Sequence, residues 1–406
     1  MKIRIIYFSV FLILLSACSK DWLEIKPIAR MTQDEYKNSS FADTSVLSPE
    51  NAQASLDGAY IPYAYQSPWG ASFWVGLNCL AGDANVGGGA AGDRPEFEEL
   101  NHYTVNASSL APQFIWQKLY KCVNAVNLLM RDAKGVNDPK LDPILAEAQV
   151  LRAFYFFDLI RFFGDIPYVR TEVSEDIPTG RTDWHTILDD QIQTVNENVG
   201  LLVDKNADGK FNQAAAYTLL GKMNMWKGDY QAAADALSKV VSNPRFGLLD
   251  NYEDVFNYAD QFNKEVIFTI PYDGSLGYDF GGWTKTSNID VKLCGIRSLA
   301  WNGDPNEQIL DGWGFIKPRP DIVDAFIAAN DKVRLNANIF IADQAKDNDM
   351  FTLKFYQIAT WSDDYGYEGY FRKKYSDYAA IPHSGDGCGM NEIVYRYSDV
   401  LLLMVV

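Results

Sequence analysis

Residues 214–247 read AAAYTLLGKMNMWKGDYQAAADALSKVVSNPRFG, and their spacing sets the architecture. With Ala214 counted as position one of a 34-residue unit, Leu220 and Gly221 fall at seven and eight, and Gly228 at fifteen. Tyr230 falls at seventeen, Ala233 at twenty and Leu237 at twenty-four. Small residues at these places let two antiparallel helices approach closely, where a larger side chain would hold them apart. Asn212 opens the first helix of this hairpin. Asn224 stands at position eleven, where an aromatic is expected, so the unit is degenerate. One hairpin cannot bury its apolar face alone, so helix pairs upstream are expected to stack against it.

The spacing is that of a tetratricopeptide unit, and the flanking sequence supplies partners. Ile115, Leu119, Val123, Val126 and Met130 recur at helical spacing from Pro112 onward. A second helix opens at Asp142-Pro143, an N-cap residue with proline at the first helical position, and stops at Gly164, with Pro167 beyond. A third covers about 183–200. Asn51 to Tyr60 are expected to be helical, and the Gly-, Pro- and Asn-rich stretch 62–110 to form long loops. Past residue 250, EVIFTIP (Glu265 to Pro271) reads as a strand and 272–320 as irregular loops. A helix follows at about 320–329, and residues 351–375 read as aromatic-rich strands or loops. The predicted fold is mainly α: tetratricopeptide-like helical hairpins over about 112–247, with a loop-rich, minor-β ligand-binding face over about 250–390.

The first eighteen residues read as an export signal. Lys2 and Arg4 give a basic start, Ile5 to Leu15 an apolar run broken by Ser9, and Leu15-Ser16-Ala17-Cys18 a lipobox. That run is too short to span a bilayer. Cleavage after residue 17 would leave Cys18 as an acylated first residue and the only membrane attachment, with 18–50 as a tether and 51–406 as the folded domain. Removing two cations takes the net charge from −17 to about −19. Such a field repels nucleic-acid phosphates and suits a neutral ligand such as a glycan, while an acidic polysaccharide would require a local basic patch. Cys79, Cys122, Cys294 and Cys388 form no C-x-x-C pair, so neither a zinc ribbon nor a redox centre is indicated; pairing and free thiols both remain open.

Catalytic patterns are sparse. His102, His185 and His383 lie in no metal-ligating motif. Gly87, Gly89 and Gly92 satisfy G-x-G-x-x-G, yet no strand is predicted before them and Pro95 opposes a helix after them. Asp204, Asn206 and Asp208, with Gly209, occupy positions one, three, five and six of a calcium loop. Ala215 stands at position twelve, where a bidentate glutamate belongs, so a polar turn with weak Ca2+ binding at best is expected and no other cofactor. Arg152 and Glu147 lie on a core-facing helix and are assigned to a structural network. Sugars stack an apolar face on flat rings and need polar groups around them. The loop-borne candidates are Trp69, Trp74 and Asp83 in one region and Tyr278, Trp283 and Trp301 in another.

Several motifs, in order along the chain, resemble the SusD/RagB family of nutrient-binding lipoproteins. They are Asp21-Trp22-Leu23-Glu24-Ile25-Lys26-Pro27 after the lipid cysteine and Trp116, Tyr120, Asn124-Ala125 and Asn127 on one helix. Glu147-Ala148, Leu151-Arg152-Ala153-Phe154-Tyr155-Phe156 and Asp158-Leu159 follow, with the stop Gly164-Asp165-Ile166-Pro167. Ala214 to Val241, Lys264 to Phe268, Gly312-Trp313-Gly314 and Arg396 to Leu402 complete the set. The resemblance implies a non-enzymatic protein, lipid-anchored on the outer membrane and facing the cell surface. It also implies a glycan or other nutrient ligand and a TonB-dependent β-barrel transporter, SusC-like, as partner. Competing readings are a tetratricopeptide-type protein scaffold and a carbohydrate-active enzyme. One departure concerns the end: Ile393 onward is read as an amphipathic helix running into the apolar stretch Val400 to Val406, which the family's pattern continues and this chain does not, so a truncated, exposed apolar end is expected.

Overall fold

The computed structural model describes residues 47–66, 73–170, 180–277, 287–297, 299–300, 308–341, 357–358, 368–376 and 381–405. The export signal with Cys18, and the rings Trp69, Tyr278, Trp283 and Trp301, lie outside the described residues.

Helix α1 (Pro49–Ala64) starts where Ser48 Oγ accepts from the Asn51 N–H at 3.2 Å, with proline in the first turn. It is longer than expected and carries Pro62 inside it, ending on the buried Tyr63 and Ala64. The stretch read as loops holds three short elements instead: α2 (Phe73–Ala81), β1 (Ala84–Gly87) and α3 (Pro95–Asn101). Then come α4 (Leu110–Asp132), α5 (Asp142–Phe163) and α6 (Trp184–Asn198). Asp142 is already helical, one position inside the cap assigned to it.

Helix α5 is the axis of the main core. Every residue from Val150 to Ile160 is buried, so no polar stripe faces water along that run. It lies between α4 and α6, and α1 packs on both α4 and α5. Gly164, at φ +64°, ends it in a backbone conformation that a side chain would strain. Arg152 Nη1 donates to Asn127 Oδ1 at 2.9 Å and to the Arg170 carbonyl at 3.1 Å. Glu147 accepts from the Tyr60 hydroxyl at 2.6 Å. Both residues thus hold the fold together, but in two separate hydrogen-bond sets and not as an ion pair.

The hairpin forms as read. Helices α7 (Gln213–Lys227) and α8 (Tyr230–Val241) are capped by Asn212 and Asp229 and joined through Gly228 at φ +84°. A Cβ at Gly221 would sit 2.4 Å from Leu237 Cδ2, which is why position eight must be empty. Asn224, in place of the aromatic, is buried and donates to the Leu220 carbonyl at 2.9 Å.

Strand β2 (Val266–Ile270) is buried at every position. Between β2 and the end of the chain run α9 (Asp290–Cys294), β3 (Leu299–Ala300), β4 (Phe315–Pro318), α10 (Pro320–Ala328), α11 (Lys332–Asn338), β5 (Ile339–Ile341), β6 (Gln357–Ile358), β7 (Tyr370–Arg372), β8 (His383–Ser384), β9 (Gly387–Cys388), β10 (Glu392–Arg396) and α12 (Tyr397–Leu403). The described strands pair in antiparallel twos: β1 with β4, β2 with β10, β3 with β6, β5 with β7 and β8 with β9.

The predicted helix from Ile393 is corrected here. Residues 392–396 form β10, because the covered strand β2 offers a ladder partner and the Tyr395 ring packs on Phe268 at 6.0 Å between centroids. Helix begins only at Tyr397. Its Val400 is buried, and Leu402, Met404 and Val405 are exposed.

Candidate ligand-binding face

A second core cluster lies beside the helices. Val75 and Cys79 of α2, Val86 of β1, Phe97 of α3, Leu293 and Cys294 of α9, and Phe315 and Ile316 at β4 enclose it. Burial pushes the thiols of Cys79 and Cys294 up to about 12, and Cys122 upward too; all four described cysteines are buried and in the thiol form. These are packing residues, not nucleophiles.

This cluster fixes the chain on either side of the segments that carry the predicted rings. Gln66, just before 67–72, accepts from the Ile289 N–H at 2.6 Å and donates to Asn288 Oδ1 at 3.2 Å. Asn288 in turn donates to the Met390 carbonyl at 2.6 Å. Residues on both sides of that contact are buried, so a wrong partner would strand an amide without water. The residue preceding Trp69's segment and those following the segment of Tyr278 and Trp283 are therefore clasped together. The root of Trp301's segment is fixed next to them. Gly312 N–H donates to the Ile296 carbonyl at 2.6 Å, Trp313 N–H to that of Lys292 at 2.9 Å and Gly314 N–H to that of Gly295 at 2.9 Å. Gly295 and Gly312 touch through their backbones, and a Cβ on Gly312 would lie 2.4 Å from Gly295 Cα. Three ring-bearing segments thus root around α9.

The remaining assignments spread out. Trp74 has its backbone in α2. Asp83 is exposed in the turn between α2 and β1, and its carbonyl accepts from the Arg319 N–H at 3.1 Å. That is the Pro318 end of the β1–β4 ladder, opposite the Gly314 end where the roots meet. The clasping residues Gln66, Asn288, Gly295 and Gly312 were missed. Their only sequence signal was polar or glycine residues bordering the aromatic loops.

The glycine motif is corrected in its setting. A strand does precede Gly87, and α3 does begin at Pro95. Two of the glycines nevertheless serve packing: an added Cβ would meet the Gly314 carbonyl at 2.3 Å from Gly87 and the Arg297 guanidinium at 2.6 Å from Gly89, while Gly92 answers to its positive φ of +85°. Glu96 and Glu98 in the first turn of α3 would repel a phosphate.

In the calcium-like run the carboxylates already have basic partners. Asp204 accepts from Asn243 Nδ2 at 2.9 Å and pairs with Arg245 at 3.4 Å; Asp208 pairs with Lys205 at 2.6 Å. Asn206 is exposed. A calcium ion here would displace two cations and lack its bidentate ligand. Calorimetry with Ca2+ should show no micromolar site at this loop. A micromolar site abolished by Asp204→Ala would contradict that.

A cavity of about 390 Å3 was not anticipated at all. Phe256, Tyr258, Lys373, Lys374, Tyr375 and Met390 are among its lining residues. Lys374 Nζ lies 4.3 Å from the centre of the Phe256 ring and 5.4 Å from that of Tyr375. Arg396 Cζ lies 5.6 Å from the ring centres of Tyr252 and Phe256. Burial lowers the Lys374 ammonium to about 8, and the charges of Arg396 and Arg372 add to the effect. A polar seam runs nearby. Burial and then Asp290 push the Glu392 carboxyl up to about 7, opposed by Lys118. Tyr272 donates to Glu392 at 3.3 Å.

A helical-hairpin scaffold flanked by short antiparallel strand pairs is a SusD-like fold, and comparison with known proteins agrees. Residues 86–225 match the family described as "Starch-binding associating with outer membrane". SusD-like protein P2 of Formosa agariphila is 26% identical, the match covering 99% of this chain and 77% of that protein. Two solved structures share the fold. A laminarin-binding SusD-like protein superposes with a TM-score of 0.74 at 23% identity, over 87% of this chain and 79% of the other. Surface glycan-binding protein A of Bacteroides thetaiotaomicron, in complex with laminarihexaose, gives 0.73 at 20% identity, over 87% and 77%. The chain is thus similar to SusD-like proteins in sequence and in fold.

Proposed function

We propose that this protein is a surface glycan-binding lipoprotein that captures oligosaccharides and hands them to a TonB-dependent, SusC-like transporter in the outer membrane. The observation that carries the reading is the clasp at α9, which roots three ring-bearing segments side by side in a fold shared with glycan-binding proteins. Binding without chemistry needs only rigid roots and flat rings, and it needs no cofactor. Laminari-oligosaccharides are the first ligands to try, since a relative of the same fold holds one. Replacing Trp283 or Trp301 by Ala should cost about 1–3 kcal/mol of binding, by analogy with other aromatic stacking platforms. Normal binding by every loop-tryptophan variant would sink the platform.

The anchor belongs to the same proposal. Among the described residues no helix is long and apolar enough to cross a membrane, and the lipobox supplies an attachment at Cys18. Cys18→Ala should appear unacylated in the soluble fraction. A variant that stays on the membrane would show that another element holds the protein there.

A further inference from the structure

The cavity beside Phe256 has a polarity that the chain as a whole lacks. The protein carries a net charge of −17, yet Lys373, Lys374, Arg372 and Arg396 gather around this one hollow. Three of these cations are engaged. Lys373 pairs with Glu253 at 2.6 Å and donates to the Asn336 carbonyl, Arg372 donates to the Asp290 carbonyl at 3.1 Å, and Arg396 faces Glu265 at 3.6 Å. Lys374 is different: its ammonium meets the faces of Phe256 and Tyr375 and has no carboxylate in reach among the described residues. Arg396 Cζ lies 5.6 Å from the centre of the same Phe256 ring. Lys374 thus brings a cation with no carboxylate partner among the described residues to the wall of a hollow of small-ligand size.

We propose that this pocket binds a saccharide unit carrying a single negative charge, a carboxylate or a sulfate ester, with the anion on Lys374 and the sugar body along the wall of Phe256, Tyr258 and Tyr375. The inference rests on the carbohydrate reading; the pocket adjoins the clasp, with which it shares Met390, but takes its cation from Lys374. It makes the molecule a binder of mixed glycans, with neutral units on the loop platform and an acidic unit here. The carboxylates around the pocket set its selectivity. Glu253 neutralises Lys373, Asp254 accepts from Asn251 at the rim, and Glu265 and Glu392 lie on the Arg396 side. Glu253 is thus taken by Lys373 and Glu265 by Arg396, which leaves Lys374 as the lining cation without a carboxylate partner among the described residues, a match for a monoanion.

The test is calorimetry on the full-length protein with galacturonate, galactose 6-sulfate and galactose at pH 6.5. At least one charged sugar should bind at least tenfold more tightly than galactose, and which one does distinguishes carboxylate from sulfate. Lys374→Met should abolish that preference, and Lys374→Arg should retain most of it. On the wild type, affinity for the charged sugar should fall severalfold between pH 6.5 and 9.5, as the ammonium loses its proton while the sugar stays charged. Equal binding of the three sugars, a preference that survives Lys374→Met, an affinity flat with pH, or no binding of either charged sugar would overturn the inference. Neutral oligosaccharide binding that depends on Trp283 and Trp301 would stand whatever the outcome here, so the two readings fail separately.

Discussion

Phe154→Ala should lower the folding stability of this protein by about 3–5 kcal/mol. Its ring sits where the helices meet the strand pair. Its centroid lies 5.1 Å from that of Tyr63 on α1, 5.5 Å from that of Phe211 before the hairpin, 5.8 Å from that of Phe268 on β2 and 6.1 Å from that of Tyr395 on β10. Four segments distant in sequence thus share one side chain. Removing it opens a cavity that rings already packed on other neighbours cannot close. Urea unfolding followed by circular dichroism measures the loss. A loss below about 1 kcal/mol would mean the seam collapses readily.

Asp158→Ala should cost about 3 kcal/mol, the low end for breaking a buried ion pair from one side. The carboxylate is fully buried, accepts from the Tyr63 hydroxyl at 2.8 Å and takes the Arg161 guanidinium on its other oxygen. Its loss strands a buried hydroxyl and leaves Arg161 without its anion. Arg161 keeps about a third of its side chain exposed and can turn to water, which places the figure at the low end. Asp158→Asn keeps an acceptor for Tyr63 and should recover part of the loss. Equal stabilities for Asp158→Ala and the wild type would show that the pair contributes nothing net.

The two predictions rest on residues of very different legibility. Phe154 and Asp158 lie on a helix whose proline start and glycine stop were plain, because Pro143 and Gly164 act locally. Gly221 and Gly228 were equally plain, since a close helix approach and a left-handed turn each demand one residue type. Elements shorter than about three helical turns left no periodic trace. Helices α2 and α3 and strand β1 were therefore lost among glycines that in fact pack against Gly314, Phe315 and Arg297. Strand β10 was taken for helix because Glu392–Arg396 runs into Tyr397–Leu403 with no glycine or proline between. What makes it a strand is β2, more than a hundred residues away.

The site divides in the same way. Aromatic loops could be seen in composition, but the clasp of Gln66 and Asn288 is a contact across 222 positions and has no local signature. The Lys374 pocket draws on residues near 256, 337, 375 and 390, and an acidic overall charge concealed it.

The central claim, capture of a glycan on the loop face without chemistry, is tested most directly by titrating the full-length protein with laminarihexaose and other neutral oligosaccharides and then analysing the recovered sugar. The account predicts saturable binding, recovery of the oligosaccharide at its original length, and loss of binding when Trp283 and Trp301 are both replaced by Ala. Shortened products, or binding undiminished in the double variant, would contradict it.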